Sequence, residues 1–318
     1  MAHSASPNVS WDGEVRLPDS RGLVLLRLLS ACSGTSVLNA LAPSGAATIT
    51  HRVVYGEAQR QRLDIYSPAV RGAALVVFLY GGGWHDGDRG LYRFVGAALA
   101  AQGLMTVIPD YRVYPEVHYP EFVRDAASVV AWTRTHIADF GGDPGRVFLM
   151  GHSAGAHIAA LLTLDRRYLA EAGLDPDRAI AGTVGLAGPY DFLPLTSPLY
   201  ETIFAAAGDL RQTQPITFAR ADAPPMLLLT GSDDRTVLPR NTQSLATQIH
   251  DKGGRVSEKQ YPRLGHALIL GAIARPLTWL APVLADVTSF LAANGARITQ
   301  PAIEAAQAGR SPSASGAI

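Results

Sequence analysis

RVFLMGHSAGAHIAALL (residues 146–162) joins a run of strand-forming residues to one of helix-forming residues. A short apolar run rich in β-formers ends on Gly151-His152-Ser153-Ala154-Gly155, and small and apolar residues continue with helical character. A serine at a strand-to-helix corner is the setting of a nucleophile elbow, whereas Gly-x-Ser-x-Gly without that setting is a weak signal. Working outward, the same alternation of apolar strand, turn and helix recurs. Strands are expected at Ala74–Tyr80, Leu104–Pro109, Arg146–Met150, Ala181–Leu186, Pro225–Thr230 and Val256–Tyr261, preceded by an antiparallel opening at Ile49–Tyr55 and Arg62–Tyr66. Continuous apolar strands without alternation belong to a sheet covered on both faces, so the fold class is α/β, a mostly parallel central sheet with helices on both sides.

With 318 residues, 47% of them hydrophobic, the chain can bury a large core. One main domain is expected over 49–296, with a short Pro-containing insertion at about 188–224 lying over the carboxyl edge of the sheet. Residues 1–48 are expected to form a helical segment that can help to cap that edge, and 297–318, rich in Ala, Ser and Gly, a disordered tail. Lys+Arg and Asp+Glu balance at 27 each, and no basic cluster interleaves with aromatics. The composition therefore provides no field for nucleic acid, and the expected partner is a small molecule; a homodimer is left open. Cys32 is the only cysteine, which excludes an intrachain disulfide; no zinc pattern is present, and neither metal nor other cofactor is expected. GLVLLRLLSACSG (22–34) is open to reading as a signal or lipoprotein segment, but Arg27 interrupts it and Asp12, Glu14 and Asp19 precede it. A soluble helix in a cytoplasmic protein is the expectation and export the alternative; no membrane span is expected.

A serine hydroxyl needs a base to act as a nucleophile, and the base needs a carboxylate to fix its tautomer. The alternative for Ser153 is a plain helix N-cap. Of the nine histidines, two follow the candidate acids. His250 ends a helical segment before Gly253-Gly254 and reads as structural; His266, in RLGHAL just past the last strand, is the candidate base. For the acid, Asp233 and Asp234 stand at the end of the strand in PPMLLLTGSDDRTVLP, and Asp191 follows the preceding strand in GLAGPYDF. The spacing Gly231-x-x-Asp234-x-x-Val237 favours Asp234, with Asp233 as a turn residue. FLYGGGWHDGD supplies a glycine loop after an earlier strand, whose Gly82 and Gly83 amides, with that of Ala154 at the helix N-terminus, can hold an oxyanion; a plain glycine-rich turn is the alternative.

Taken together, Tyr80-Gly81-Gly82-Gly83-Trp84, DYRVYPE (110–116), FGGDPGRVFLMGHSAG (140–155) and the Asp234 and His266 loops make residues 49–294 resemble the α/β-hydrolase superfamily, specifically carboxylesterases of the hormone-sensitive-lipase and feruloyl-esterase-like groups. The resemblance implies an α/β-hydrolase fold, a Ser153–His266–Asp234 triad, and Gly82, Gly83 and Ala154 as oxyanion donors. It implies a short-chain ester as substrate, with acetylated carbohydrates and hydroxycinnamoyl esters as alternatives. In the family the DYRVYPE segment is a brace under the glycine loop, which makes Asp110, Arg112 and Glu116 paired supports. Trp84 and His152 are expected to border the substrate pocket or to pack beside it. Tyr80 departs from the pattern, since the family carries histidine there. Two other functions are kept alongside the esterase: an amidase such as an arylformamidase, which uses the same triad, and a non-catalytic ligand-binding protein on the same fold.

Overall fold

The computed structural model describes residues 34–42, 45 and 47–295. The expected tail at 297–318 and residues 1–33, which hold all but the last residue of the 22–34 stretch, lie outside the described residues.

Eight strands form one sheet: β1 (Thr48–Val54), β2 (Arg62–Ser67), β3 (Ala73–Leu79), β4 (Met105–Pro109), β5 (Gly142–His152), β6 (Gly182–Leu186), β7 (Met226–Gly231) and β8 (Val256–Tyr261). They lie side by side in the order β1-β2-β4-β3-β5-β6-β7-β8. β1–β2 and β2–β4 pair antiparallel and every later pair is parallel, as the antiparallel opening and the later strands predict. β4, β6 and β7 are buried along their whole length, which requires cover on both faces. The edge strand β8 instead exposes Ser257–Gln260, and charge there discourages pairing with another sheet.

Helices provide the cover. Those described are α1 (Gly34–Ala40), α2 (Arg93–Ala100), α3 (Glu121–His136), α4 (Ala154–Leu164), α5 (Arg166–Glu171), α6 (Pro198–Phe204), α7 (Arg240–Asp251), α8 (His266–Gly271) and α9 (Val283–Ala293). α4 is buried on every side, in keeping with its run of Ala, Leu and Ile. α9 meets the sheet through Phe290 against Phe148 of β5, with ring centroids 6.5 Å apart. α1 buries Leu38, and its Asn39 bonds both the Gly90 carbonyl and the Phe94 N–H, tying it to the start of α2.

One strand differs from expectation. β5 begins at Gly142, four residues before Arg146, although Asp143-Pro144-Gly145 reads as a turn. A register shift opposite Ala73–Leu75 admits the extra residues. Asp143 secures the bend, accepting from the Gly145 N–H at 2.9 Å and the Arg146 guanidinium at 2.9 Å.

The strand order also places the site. After β3 the chain crosses to β4 on one side; after β5 it crosses to β6 on the other. Connections diverge between β3 and β5, and the carboxyl ends of those neighbours open a crevice. The glycine loop leaves β3 and Ser153 leaves β5 at this point.

Candidate active site

Ser153 adopts φ 54° and ψ −123° between β5 and α4, a conformation that strains a residue with a side chain. Its N–H donates to the Leu186 carbonyl of β6 at 2.9 Å, which holds the corner against the neighbouring strand. The glycines around it have a steric reason. A Cβ on Gly155 would lie 2.0 Å from the Leu79 carbonyl oxygen, so only glycine lets α4 start this close to the end of β3.

His266 and Asp234 reach the serine from two loops that zip together. Asp233 N–H bonds the Leu264 carbonyl at 3.0 Å, and Ser232 N–H bonds the Tyr261 carbonyl at 2.8 Å. A Cβ on Gly231 would lie 2.1 Å from the Leu264 oxygen, which again explains a glycine where backbones touch. At the end of this zipper Asp234 Oδ2 lies 2.8 Å from His266 Nδ1, and His266 Nε2 lies 2.9 Å from Ser153 Oγ. Since a carboxylate accepts, Nδ1 carries the proton and Nε2 is free to accept from the serine. The other Asp234 oxygen accepts from the Thr236 and Val237 N–H groups, each at 2.9 Å. Burial pushes the Asp234 carboxyl up, but the bonds from His266, Val237 and Thr236 outweigh it and leave the pKa lowered, so the group stays ionised.

The rivals stand elsewhere. Asp233 is exposed and accepts from Ser232 Oγ. Asp191 is only half-buried, its backbone N–H held by Asn241 Oδ1. His250 lies in the exposed last turn of α7 beside Asp251.

Across the crevice the glycine loop turns through positive φ at Gly82, Gly83 and also Trp84. Ala154 is the first residue of α4, where backbone N–H groups lack an intrahelical acceptor. Tyr80, standing where histidine was expected, is fully buried beneath the loop. Its hydroxyl donates to Asp110 Oδ1 at 2.9 Å and accepts from Arg60 at 3.0 Å. Arg60 also bonds the Gly87 carbonyl at 2.7 Å and the Tyr111 carbonyl at 2.9 Å. Asp110 is further held by the Arg89 side chain and by the Arg89 N–H at 2.7 Å. The brace is thus a tyrosine–aspartate–arginine network. Its Arg60 and Arg89 carry no motif; the clue in the sequence was Tyr80 itself, which needed a partner once buried. Arg112 pairs with Asp125 at 2.6 Å, not with Glu116, which is exposed and acts on Arg112 only through its charge.

His152 and Trp84 both line the cavity and both make structural bonds. His152 Nε2 donates to the His266 carbonyl at 2.9 Å, a tie between the elbow and the base loop. Burial and the neighbouring His266 drive its pKa down to about 3. Trp84 packs on Phe204, Phe192 and Tyr200 at 4.9, 5.7 and 5.4 Å between centroids. Its indole N–H donates to His157 Nδ1 at 3.2 Å, while His157 Nε2 donates to the Thr213 carbonyl at 2.7 Å. His157 was not anticipated. Burial lowers its pKa to about 4, so it stays neutral and joins the glycine loop to the insertion.

The cavity above Ser153 measures about 600 Å³. The insertion after β6 supplies Phe192, Leu195 and Tyr200 on one side; the segment after β7 supplies Arg235, Val237 and Arg240 on another. A nucleophile hydrogen-bonded to an oriented base, beside free backbone donors, is equipped for acyl transfer.

Comparison with known proteins places this arrangement. Residues 63–249 match the family model described as BD-FAE. The chain is 31% identical over 242 residues to a probable isoprenylcysteine alpha-carbonyl methylesterase, ICMEL1, of Arabidopsis thaliana, covering 69% of this chain and 51% of that protein. It is 30% identical over 240 residues to esterase LipC of Mycobacterium tuberculosis, covering 69% and 60%. The chain therefore spans about half to three fifths of the length of these curated relatives. Among solved structures, a truncated carbohydrate esterase from gut microbiota superposes with TM-score 0.69 at 19% identity, over 80% of this chain and 99% of that one. Thermogutta terrifontis esterase 2 with propionate bound gives 0.64 at 22% identity, over 81% and 98%. These likenesses establish an α/β-hydrolase fold.

Proposed function

Because the chain belongs to the BD-FAE family, we propose that it is a carboxylic ester hydrolase that cleaves short-chain esters through an acyl-enzyme on Ser153. The reading is carried by one observation, the hydrogen-bonded row from Ser153 Oγ through His266 to Asp234 at the floor of a cavity. His266 Nε2 takes the hydroxyl proton as Oγ attacks the ester carbonyl. The carbonyl π electrons move to oxygen, and the amides of Gly82, Gly83 and Ala154 hold that oxyanion. The intermediate collapses, breaking the bond to the alcohol oxygen, which leaves with the proton from His266. Water then repeats the sequence on the acyl-enzyme and releases the acid. Asp234 stays ionised throughout, fixing the imidazole tautomer and stabilising its charged form.

Support for a short acyl group comes from the structural neighbours, since Thermogutta terrifontis esterase 2 holds propionate in one structure and butyrate in another. Phe192 and Tyr200 both pack on Trp84 beside the cavity. The names of the relatives, an esterase and a methylesterase, agree with ester chemistry.

The test is a panel of p-nitrophenyl acetate, butyrate and octanoate on the wild type and Ser153→Ala. Expected are a kcat/KM that falls as the acyl chain lengthens and loss of activity in the variant by about 10⁴-fold or more. Equal activity in the variant, or a preference for octanoate, contradicts the reading.

A further inference from the structure

Arg235 and Arg240 both line the cavity over Ser153, and neither has an ion-pair or hydrogen-bond partner among the described residues. Several other arginines are paired with carboxylates, among them Arg112 with Asp125 at 2.6 Å, Arg167 with Asp165 at 2.6 Å and Arg220 with Asp222 at 2.9 Å. The described lining contains no aspartate or glutamate at all. Asp234 bonds neither arginine, its two oxygens being taken by His266 and by the Thr236 and Val237 N–H groups. Both arginines come from the same wall: Arg235 follows Asp234, and Arg240 is the first residue of the 12-residue α7, whose positive dipole end adds to the charge. Asn241, the next residue, is occupied in bonds to the Tyr190 and Asp191 N–H groups at 3.0 Å and cannot neutralise the wall.

Two free guanidinium groups beside a partly apolar cavity attract an anion and present planar donor forks that suit a carboxylate. We propose that the substrate is an ester that also carries a carboxylate, bound through Arg235 and Arg240 while its carbonyl lies over Ser153. This inference rests on the ester hydrolase reading and names the substrate class of the same site. The aromatic wall formed by Trp84, Phe192 and Tyr200 then takes the uncharged half of the ester.

Two matched pairs of esters test it. p-Nitrophenyl hemiglutarate against p-nitrophenyl valerate places the charge on the acyl half, and 4-acetoxybenzoate against its methyl ester places it on the alcohol half. The anionic member of one pair is expected to have a kcat/KM about 10-fold above its neutral partner at low salt, mostly through KM, with the preference shrinking as salt screens it. In the Arg235→Gln/Arg240→Gln double variant that ratio falls to about 1 or below, and Arg235→Lys/Arg240→Lys restores part of it. Fluorophosphonate labelling of Ser153 in each variant certifies a folded site. A neutral preference in both pairs, or a ratio unchanged in the double variant, overturns the inference while leaving the hydrolase reading intact. Absence of wild-type activity on all four esters sinks that reading first.

Discussion

At single residues, the chemistry of the site depends on a few atoms whose surroundings leave them little choice. Asp234 accepts from His266 and two backbone N–H groups, so replacing one oxygen by an amide disturbs the imidazole and not the loop. Asp234→Asn is expected to fold and to lower kcat by about 10³- to 10⁴-fold, because the amide can hold His266 in the tautomer that cannot accept from Ser153. Stopped assays on p-nitrophenyl acetate measure this, and a loss below tenfold would remove Asp234 from its role. Gly155→Ala acts on backbone instead: a methyl 2.0 Å from the Leu79 oxygen must push α4 off β3. The variant is expected to be insoluble or to melt well below the wild type, and a wild-type melting temperature would show that the elbow is less tightly packed than described. Spacing favoured Asp234 over Asp233, and it is Asp234 that bonds His266. The brace was legible only in part: Asp110 and Tyr80 stood out, but Arg60 and Arg89 reach them only through the fold, with no local period to link them.

At the scale of elements, strands were legible wherever burial on both faces made them apolar, as in LVVFL of β3 and LLL of β7. β8 was read as one more strand of the recurring strand–turn–helix pattern, although as an edge strand it is polar and exposes Ser257–Gln260. β5 was read short because Pro144 and Gly145 look like a turn until the bulge opposite β3 is seen. The glycine loop is an element whose shape depends on what lies below it. Tyr80 carries two hydrogen bonds there and stacks on Tyr92 and Tyr111 at 5.3 and 4.8 Å. Tyr80→Phe keeps the stacking and leaves Asp110 and Arg60 each one bond short. The expected effect is a destabilisation of about 1–2 kcal/mol, with kcat falling more than KM rises as the amides of Gly82 and Gly83 lose alignment. Urea unfolding with steady-state kinetics tests both; a lower stability with unchanged kcat would confine Tyr80 to packing.

For the whole molecule, two buried histidines set a pH dependence. His152 and His157 have folded pKa values of about 3 and about 4, below the ordinary 6.5. Between about pH 4 and 6.5 the unfolded chain binds protons that the native chain excludes, so stability is full above that window and falls as pH drops through it. Each histidine contributes a slope of up to about 1.4 kcal/mol per pH unit. His157→Gln can keep both bonds, to Trp84 and Thr213, without titrating; its melting temperature should fall less between pH 7 and 5 than that of the wild type, and an equal fall would contradict the assignment. The fold brings together three segments, the outermost pair 113 residues apart: Ser153 after β5, Asp234 after β7 and His266 after β8. Intact mass and peptide mapping after fluorophosphonate treatment check this convergence. One adduct per chain is expected, on Ser153, formed far more slowly in His266→Ala; no adduct on folded wild-type protein, or one whose rate ignores His266, rules the convergence out.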